Sequence, residues 1–289
     1  ISVIILLMFA ISSYSQSGWF SQPLPVNGQV RDLKFFDANT GLIAMTGPRV
    51  ILKTSNGGYN WFAALSDQVC FEFNIIDSNT VYAAAGTASA YGMILRSYDR
   101  GTTWDSLPVS NSVTVNGISF VNKDTGWVGG TAGALPFLWR TTNAGVTWTV
   151  QSDDTGFGKV FFLKNKVNGE YVGWSIQGVE AMYKTTNSGI NWFQVTNIGS
   201  ASTLYFIDES TGWAAKTGGI RKTTNGGLNW STYNLPSNFG ITGRFISQLY
   251  VQNKDTIYGD NGYRFFSSSV SRGIIWISTN GGANWNFQQ

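Results

Sequence analysis

One octapeptide recurs six times, and it limits what this chain can become more than any other feature. It reads TSNGGYNW at 54–61, SYDRGTTW at 97–104, TTNAGVTW at 141–148, TTNSGINW at 185–192, TTNGGLNW at 223–230 and STNGGANW at 278–285. The shared pattern is Ser/Thr-x-Asn/Asp-x-Gly-x-x-Trp, and its closing tryptophans stand 43, 44, 44, 38 and 55 residues apart. A turn leading into a strand precedes each copy: NTGL at 39–42, NTVY at 79–82, DTGW at 124–127, YVGW at 171–174, STGW at 210–213 and DTIY at 255–258. Another apolar strand lies upstream, such as LKFF at 33–36 or LYFI at 204–207, and a fourth follows each Trp, such as WTVQ at 148–151. Four short strands every 40–45 residues or so is the arithmetic of a propeller blade. One such sheet cannot bury both faces, whereas radial stacking buries them, which is why the unit must repeat. The expected fold is all-β: a β-propeller of four-stranded blades, with six repeats in this chain.

The octapeptide has a physical job. A tight loop between two strands needs a residue comfortable at positive φ, which Gly58, Gly101, Gly145, Gly189, Gly227 and Gly282 supply. Asn56, Asp99, Asn143, Asn187, Asn225 and Asn280 are placed to accept backbone N–H groups across the loop. Trp61, Trp104, Trp148, Trp192, Trp230 and Trp285 then return the chain into its blade. Each ring is expected to bury about 200 Å², worth roughly 5 kcal/mol at most. Only Asp99 among the six loop acids and amides carries charge. Calcium loops need several carboxylates and acid–base work needs a titratable group, so these loops read as structural.

Composition removes several functions. The chain has no His, so it has no Ser-His-Asp triad, no Cys-His pair and no histidine metal site. Its single cysteine, Cys70, permits neither an intrachain disulfide nor a cysteine-rich zinc site, and its setting beside Phe71 and Phe73 suits a buried thiol. No metal or cofactor is expected. A net charge of +3, scattered along the chain, does not argue for nucleic acid. Charged residues are only 12%, so the surface must be built from Ser, Thr, Asn and Gly.

The first ten residues, ISVIILLMFA, form an unbroken apolar run followed by ISSYSQ. Ser13 and Ser15 stand where a signal peptidase takes its −3 and −1 residues, so residues 1–15 read as a signal peptide cut before Gln16. The run is too short to span a bilayer as a helix, and no stable membrane span is expected after cleavage. The propeller domain is 16–289, and the expected location is extracytoplasmic: secreted, periplasmic or cell-surface.

The octapeptides are similar to the Asp-box (BNR) repeats of sialidases, sortilin-type propellers and xyloglucan-active glycoside hydrolases. Joined to the preceding D-x-x-T-G-W-type strand, they resemble most the photosystem II assembly and stability factor family and related exported bacterial propellers. The resemblance covers residues 19–289. It implies chaperone-like or scaffold binding of protein, with the boxes on the blade periphery.

Residues 19–25, WFSQPLP, match the strand that follows each box; compare WSTYNLP at 230–236. The chain therefore begins on an outer strand and then runs six units. Three further strands past Gln289 are expected, giving a seven-bladed ring; the alternative is a closed six-bladed ring with one extra edge strand. The box loops share a face with the first-to-second turns of each unit. The other face carries the second-to-third loops and the inter-blade connections, where propellers bind. Its binding candidates are Arg31, Arg49, Tyr91, Asp153, Asp154, Phe157, Lys159, Glu180, Arg244 and Asp260, with Tyr263, Arg264 and Phe265 on a long sixth-unit insertion, 259–272. Tyr and Arg are frequent interface anchors.

The enzyme alternative, a sialidase-like or glycoside-hydrolase propeller, lacks a Phe/Tyr-Arg-Ile-Pro motif. It would need two opposed carboxylates, about 5–10 Å apart, from Asp153, Asp154, Glu180 and Asp260. A further alternative is the repeat region of a larger secreted adhesin with a C-terminal sorting domain. The favoured reading is non-catalytic, with a protein or cell-surface partner; a glycan is the other partner considered. Trp127, Trp174 and Trp213 recur once per unit and read as inter-blade packing rather than a sugar platform.

Overall fold

The computed structural model describes residues 22–86, 92–110, 113–133, 135–152, 158–177, 181–199, 201–237, 241–242, 246–265 and 271–288. These form six antiparallel sheets and no helix. Blade 1 runs Gln29–Phe35, Gly41–Thr46, Val50–Thr54 and Phe62–Ser66, from the inside outward. Blades 2 to 5 repeat that order over 69–110, 113–152, 159–197 and 203–234. Blade 6, over 241–288, has a divided inner edge: Ile241–Thr242 and Leu249–Val251 both pair with Ile257–Phe265. The blade-and-box reading therefore holds. The proposed signal peptide falls outside the described residues.

The box loops behave as their residue types dictate. In the first, the Thr54 hydroxyl accepts the Gly58 N–H at 2.9 Å and donates to Asn56 Oδ1 at 3.0 Å, while Asn56 Oδ1 accepts the Asn60 N–H at 2.9 Å. The same bonds recur around Thr141, Thr185, Thr223 and Ser278. All six box glycines have positive φ, from 76° at Gly101 to 96° at Gly227. The residue before each is left-handed as well, including the non-glycines Arg100, Ala144 and Ser188, which the sequence did not signal. The box tryptophans correct one expectation. Only Trp285 is fully buried; Trp61, Trp104, Trp148, Trp192 and Trp230 lie half-buried along the blade rim. Trp104, Trp192, Trp230 and Trp285 each donate Nε1 to their own box glycine carbonyl, which closes the loop.

Asp99 replaces the amide in the second box. Burial works against its charge, but bonds from Thr103, Ser97 and Thr102 outweigh it and hold the carboxyl at about 2. A lowered folded-state pKa gives stability that is present above the unfolded value and lost as pH falls through the folded one. Asp99→Asn is therefore expected to leave stability at pH 7 nearly unchanged, as five boxes already use Asn. It should reduce the loss between about pH 4 and 2. Urea melts of both proteins at pH 7, 4 and 2 read this; an identical acid response would disprove it.

The deepest side chains belong to the strand after the first turn. Leu42, Tyr82, Trp127, Trp174 and Trp213 have no exposed surface and pack across seams. Tyr82 stacks on Phe120 of blade 3, Trp127 on Phe162 of blade 4 and Trp174 on Phe206 of blade 5, with centroids 3.6–3.8 Å apart. The glycine before each blade's Trp has a purpose: a methyl at Gly126, Gly173 or Gly212 would strike Phe120, Phe162 or Phe206. Five apolar clusters fill the seams from blade 1 to blade 6. At the remaining seam, Leu24 and Val26 pack on Ile43, Met45, Val50 and Leu52 of blade 1. There Gln22 Nε2 donates to the Gly57 carbonyl, the place that a preceding blade's Trp takes elsewhere. Across that seam Tyr258, Ile275 and Ile277 of blade 6 stay half-buried. Cys70 is buried, and desolvation pushes its thiol well up, as expected of an inert core thiol.

Candidate functional site

The inner strands of all six blades line one cavity of about 760 Å³ along the ring axis. Inner strands have an unpaired edge, and the fold satisfies part of it from side chains. Asp32 Oδ2 of blade 1 accepts the Phe73 N–H of blade 2 at 2.7 Å. Asn74 Oδ1 of blade 2 accepts the Phe120 N–H of blade 3 at 2.8 Å, and Ser119 Oγ of blade 3 accepts the Phe162 N–H of blade 4 at 2.9 Å.

Equivalent positions follow from the first-turn hydrogen bond that each inner strand makes: Phe36 to Thr40, Ile76 to Thr80, Val121 to Thr125, Leu163 to Val172, Ile207 to Thr211 and Gln252 to Thr256. Two residues before each donor stand Lys34, Asn74, Ser119, Phe161, Tyr205 and Tyr250, and all six line the cavity. Blades 1–3 thus give the channel a polar arc, and blades 4–6 an aromatic one. Phe161 and Tyr205 lie 5.4 Å apart, and Tyr250 and Tyr258 6.1 Å. Tyr250 is 61% exposed although it sits on an inner strand between buried Leu249 and Val251.

Charged groups line both arcs: Lys34 and Glu72 on blades 1 and 2, Lys159 and Lys164 on blade 4, and Asp208 and Glu209 on blade 5. Lys159 Nζ of blade 4 donates to Glu72 Oε2 of blade 2 at 2.9 Å, reaching past blade 3. Lys34 Nζ lies 3.5 Å from Asp32 Oδ1. Burial opposes the Lys34 charge, but Asp32 and then Glu72 prevail and raise its pKa. Asp260 is exposed and does not line the cavity, although protein surrounds it. Burial first, and Asp32 after it, raise its pKa against the Gln248 N–H, which its Oδ1 accepts at 2.7 Å. Among the described residues no cluster of acids or thiols could hold a metal.

Several sequence-based placements need correction. Lys159 is not in an inter-blade connection but opens the strand Lys159–Phe162, bound to Glu72. Arg31 lies within Gln29–Phe35 at a bulge between Val30 and Asp32, and is exposed. Asp260, Tyr263, Arg264 and Phe265 are not on a loop insertion: Ile257–Phe265 pairs with Ser271–Ser278 as one long hairpin. Hydrogen bonding to a longer inner edge extended these strands beyond what the other units suggest. Arg49 is exposed beside a second-to-third turn, as expected. Tyr91, Asp153, Asp154, Phe157, Glu180 and Arg244 lie outside the described residues. The sequence reading missed Asp32, Lys34 and Glu72; blades 1 and 2 bring the three together, and Lys159 reaches Glu72 only when non-adjacent blades close on one axis. The signal available was a register one: a charge at or near the same inner-strand position in successive units.

Six radial sheets, box loops on one face and a channel of mixed polarity define an Asp-box β-propeller. The chain belongs to the family described as photosynthesis system II assembly factor YCF48, whose model matches residues 11–289. No curated protein matches the sequence. Among solved structures, it is similar to a chain described as YCF48 bound to D1 peptide, at 16% identity and TM-score 0.62, over 91% of this chain and 82% of that one. YCF48 from Cyanidioschyzon merolae matches at 17% identity and TM-score 0.64, over 92% and 87%. The GH74 xyloglucanase from Xanthomonas campestris matches at 15% identity and TM-score 0.66, over 94% of this chain but 46% of its own. Identities this low show the shared fold alone.

Proposed function

We propose that this chain is an exported, non-catalytic propeller that binds a protein partner on the face opposite its box loops. The observation that carries the reading is the family match over residues 11–289, with a structurally similar family member solved with a peptide bound. The geometry is compatible with it. The box loops are engaged in holding neighbouring blades, which leaves the opposite rim, with exposed Arg31 and Arg49, free to contact a partner. Arg offers planar, multidentate contacts suited to such a rim. The apolar run at 1–10 supports export, and no helix among the described residues is long and apolar enough to cross a membrane.

The test is site-specific photo-crosslinking in the source cells. A photoreactive residue replacing Arg49 is expected to join one defined polypeptide, and one replacing Thr103 on the box face is not. The crosslinked material should begin at Gln16. Crosslinking from both faces alike would sink the reading. So would hydrolysis of sialosides or β-glucans by the purified protein that Asp260→Asn abolishes.

A further inference from the structure

We infer that the central channel is a second binding site, and that it takes a neutral carbohydrate. At one inner-strand register position its walls divide into a polar and an aromatic arc. Phe161, Tyr205 and Tyr250 occupy one register position in three consecutive blades and line the cavity with aromatic side chains. Packing does not require all of this surface, because Tyr250 remains 61% exposed. The facing arc carries Lys34, Asn74 and Glu72, joined by Lys159 from blade 4. Aromatic surface on one side and hydrogen-bonding groups on the other suit a ring that is apolar on its faces and hydroxylated at its edge.

Charge decides between ligand classes. Lys159 is paired with Glu72 and Lys34 with Asp32, so two cations and two anions cancel. A third lysine of the lining, Lys164, has no carboxylate partner among the described residues, but its Nζ is occupied by the carbonyls of Ile75 and Ile76, and burial disfavours its charge. Asp208 and Glu209 share the wall, so an anionic ligand meets no net positive charge here. An apolar peptide side chain would cover the aromatic arc but strip water from the ion pairs opposite without replacing its hydrogen bonds, which costs free energy. Sugar hydroxyls donate and accept, so they replace that water. The cavity, at about 760 Å³, has the size of a small-ligand site.

The site is independent of the protein-binding face, and its test is separate. Titrate the purified protein with glucan, mannan, galactan and chitin tetrasaccharides, following heat and Trp/Tyr fluorescence. At least one should bind. Tyr250→Ala should weaken that binding tenfold or more, by loss of stacking worth about 1.4 kcal/mol, and Tyr250→Trp should keep it. Tyr59→Ala, on an exposed box loop, should bind as the parent does. Thermal melts of each variant check folding, and Tyr250→Trp still tests the site should Tyr250→Ala unfold. No binding by any of the four sugars up to 10 mM or so would overturn the inference. Binding that ignores Tyr250→Ala, or occupancy of the channel by an apolar peptide instead, would do the same.

Discussion

Trp174→Ala is expected to destabilise the protein by about 3–5 kcal/mol, the usual range for emptying a large aromatic site in a core. Trp174 has no exposed surface and lies face to face with Phe206, centroids 3.7 Å apart and planes within 4°. Its Nε1 donates to the Gly226 carbonyl at 2.9 Å, so the substitution also leaves a box carbonyl without its donor. Lys184 lies over the same ring at 5.2 Å and loses that contact too. For a chain of this size the fall in Tm should be roughly 6–15 °C. Calorimetry of parent and variant reads it. A shift under about 2 °C would mean that this seam does not hold blades 4 and 5 together.

Gly227→Ala should cost about 2–4 kcal/mol, from backbone strain at positive φ together with overpacking. Its φ is 96°, beyond the usual left-handed basin, and an added methyl would stand 2.7 Å from Met182 Cε and 3.7 Å from Trp174 Nε1. Both substitutions therefore act on one seam from opposite sides. The double variant should lose less than the sum, because an Ala at 174 vacates space that the new methyl uses. Strict additivity in denaturant melts would show that the box loop and the tryptophan are energetically separate, against the geometry described here.

The sequence made the blades legible because one octapeptide pattern is written six times, and chance agreement of six such copies is negligible. It made the boxes legible because positive φ demands glycine and a short loop demands an amide or hydroxyl acceptor. Cys70 and the buried Trp127, Trp174 and Trp213 were readable from neighbours and periodicity. The half-buried state of the box tryptophans was not, since rim and core positions carry the same residue type. The sixth-unit segment read as a loop because its length departed from the repeat, whereas the strands simply continue to Phe265 and from Ser271. The channel was least legible. Glu72 and Lys159 meet at 2.9 Å from 87 positions apart, across an intervening blade, and no local pattern encodes closure around an axis.

Three seam bonds to box carbonyls share a direction. Arg96 of blade 2 donates to Ala144 in the box of blade 3, Trp174 of blade 4 to Gly226 in blade 5, and Trp213 of blade 5 to Gly281 in blade 6. Blades 2, 4 and 5 are thus each tied at the rim to the blade that follows in the chain. A lesion in the box of blade 3, 5 or 6 is consequently felt in the blade before it, so damage at these seams travels toward the N-terminus.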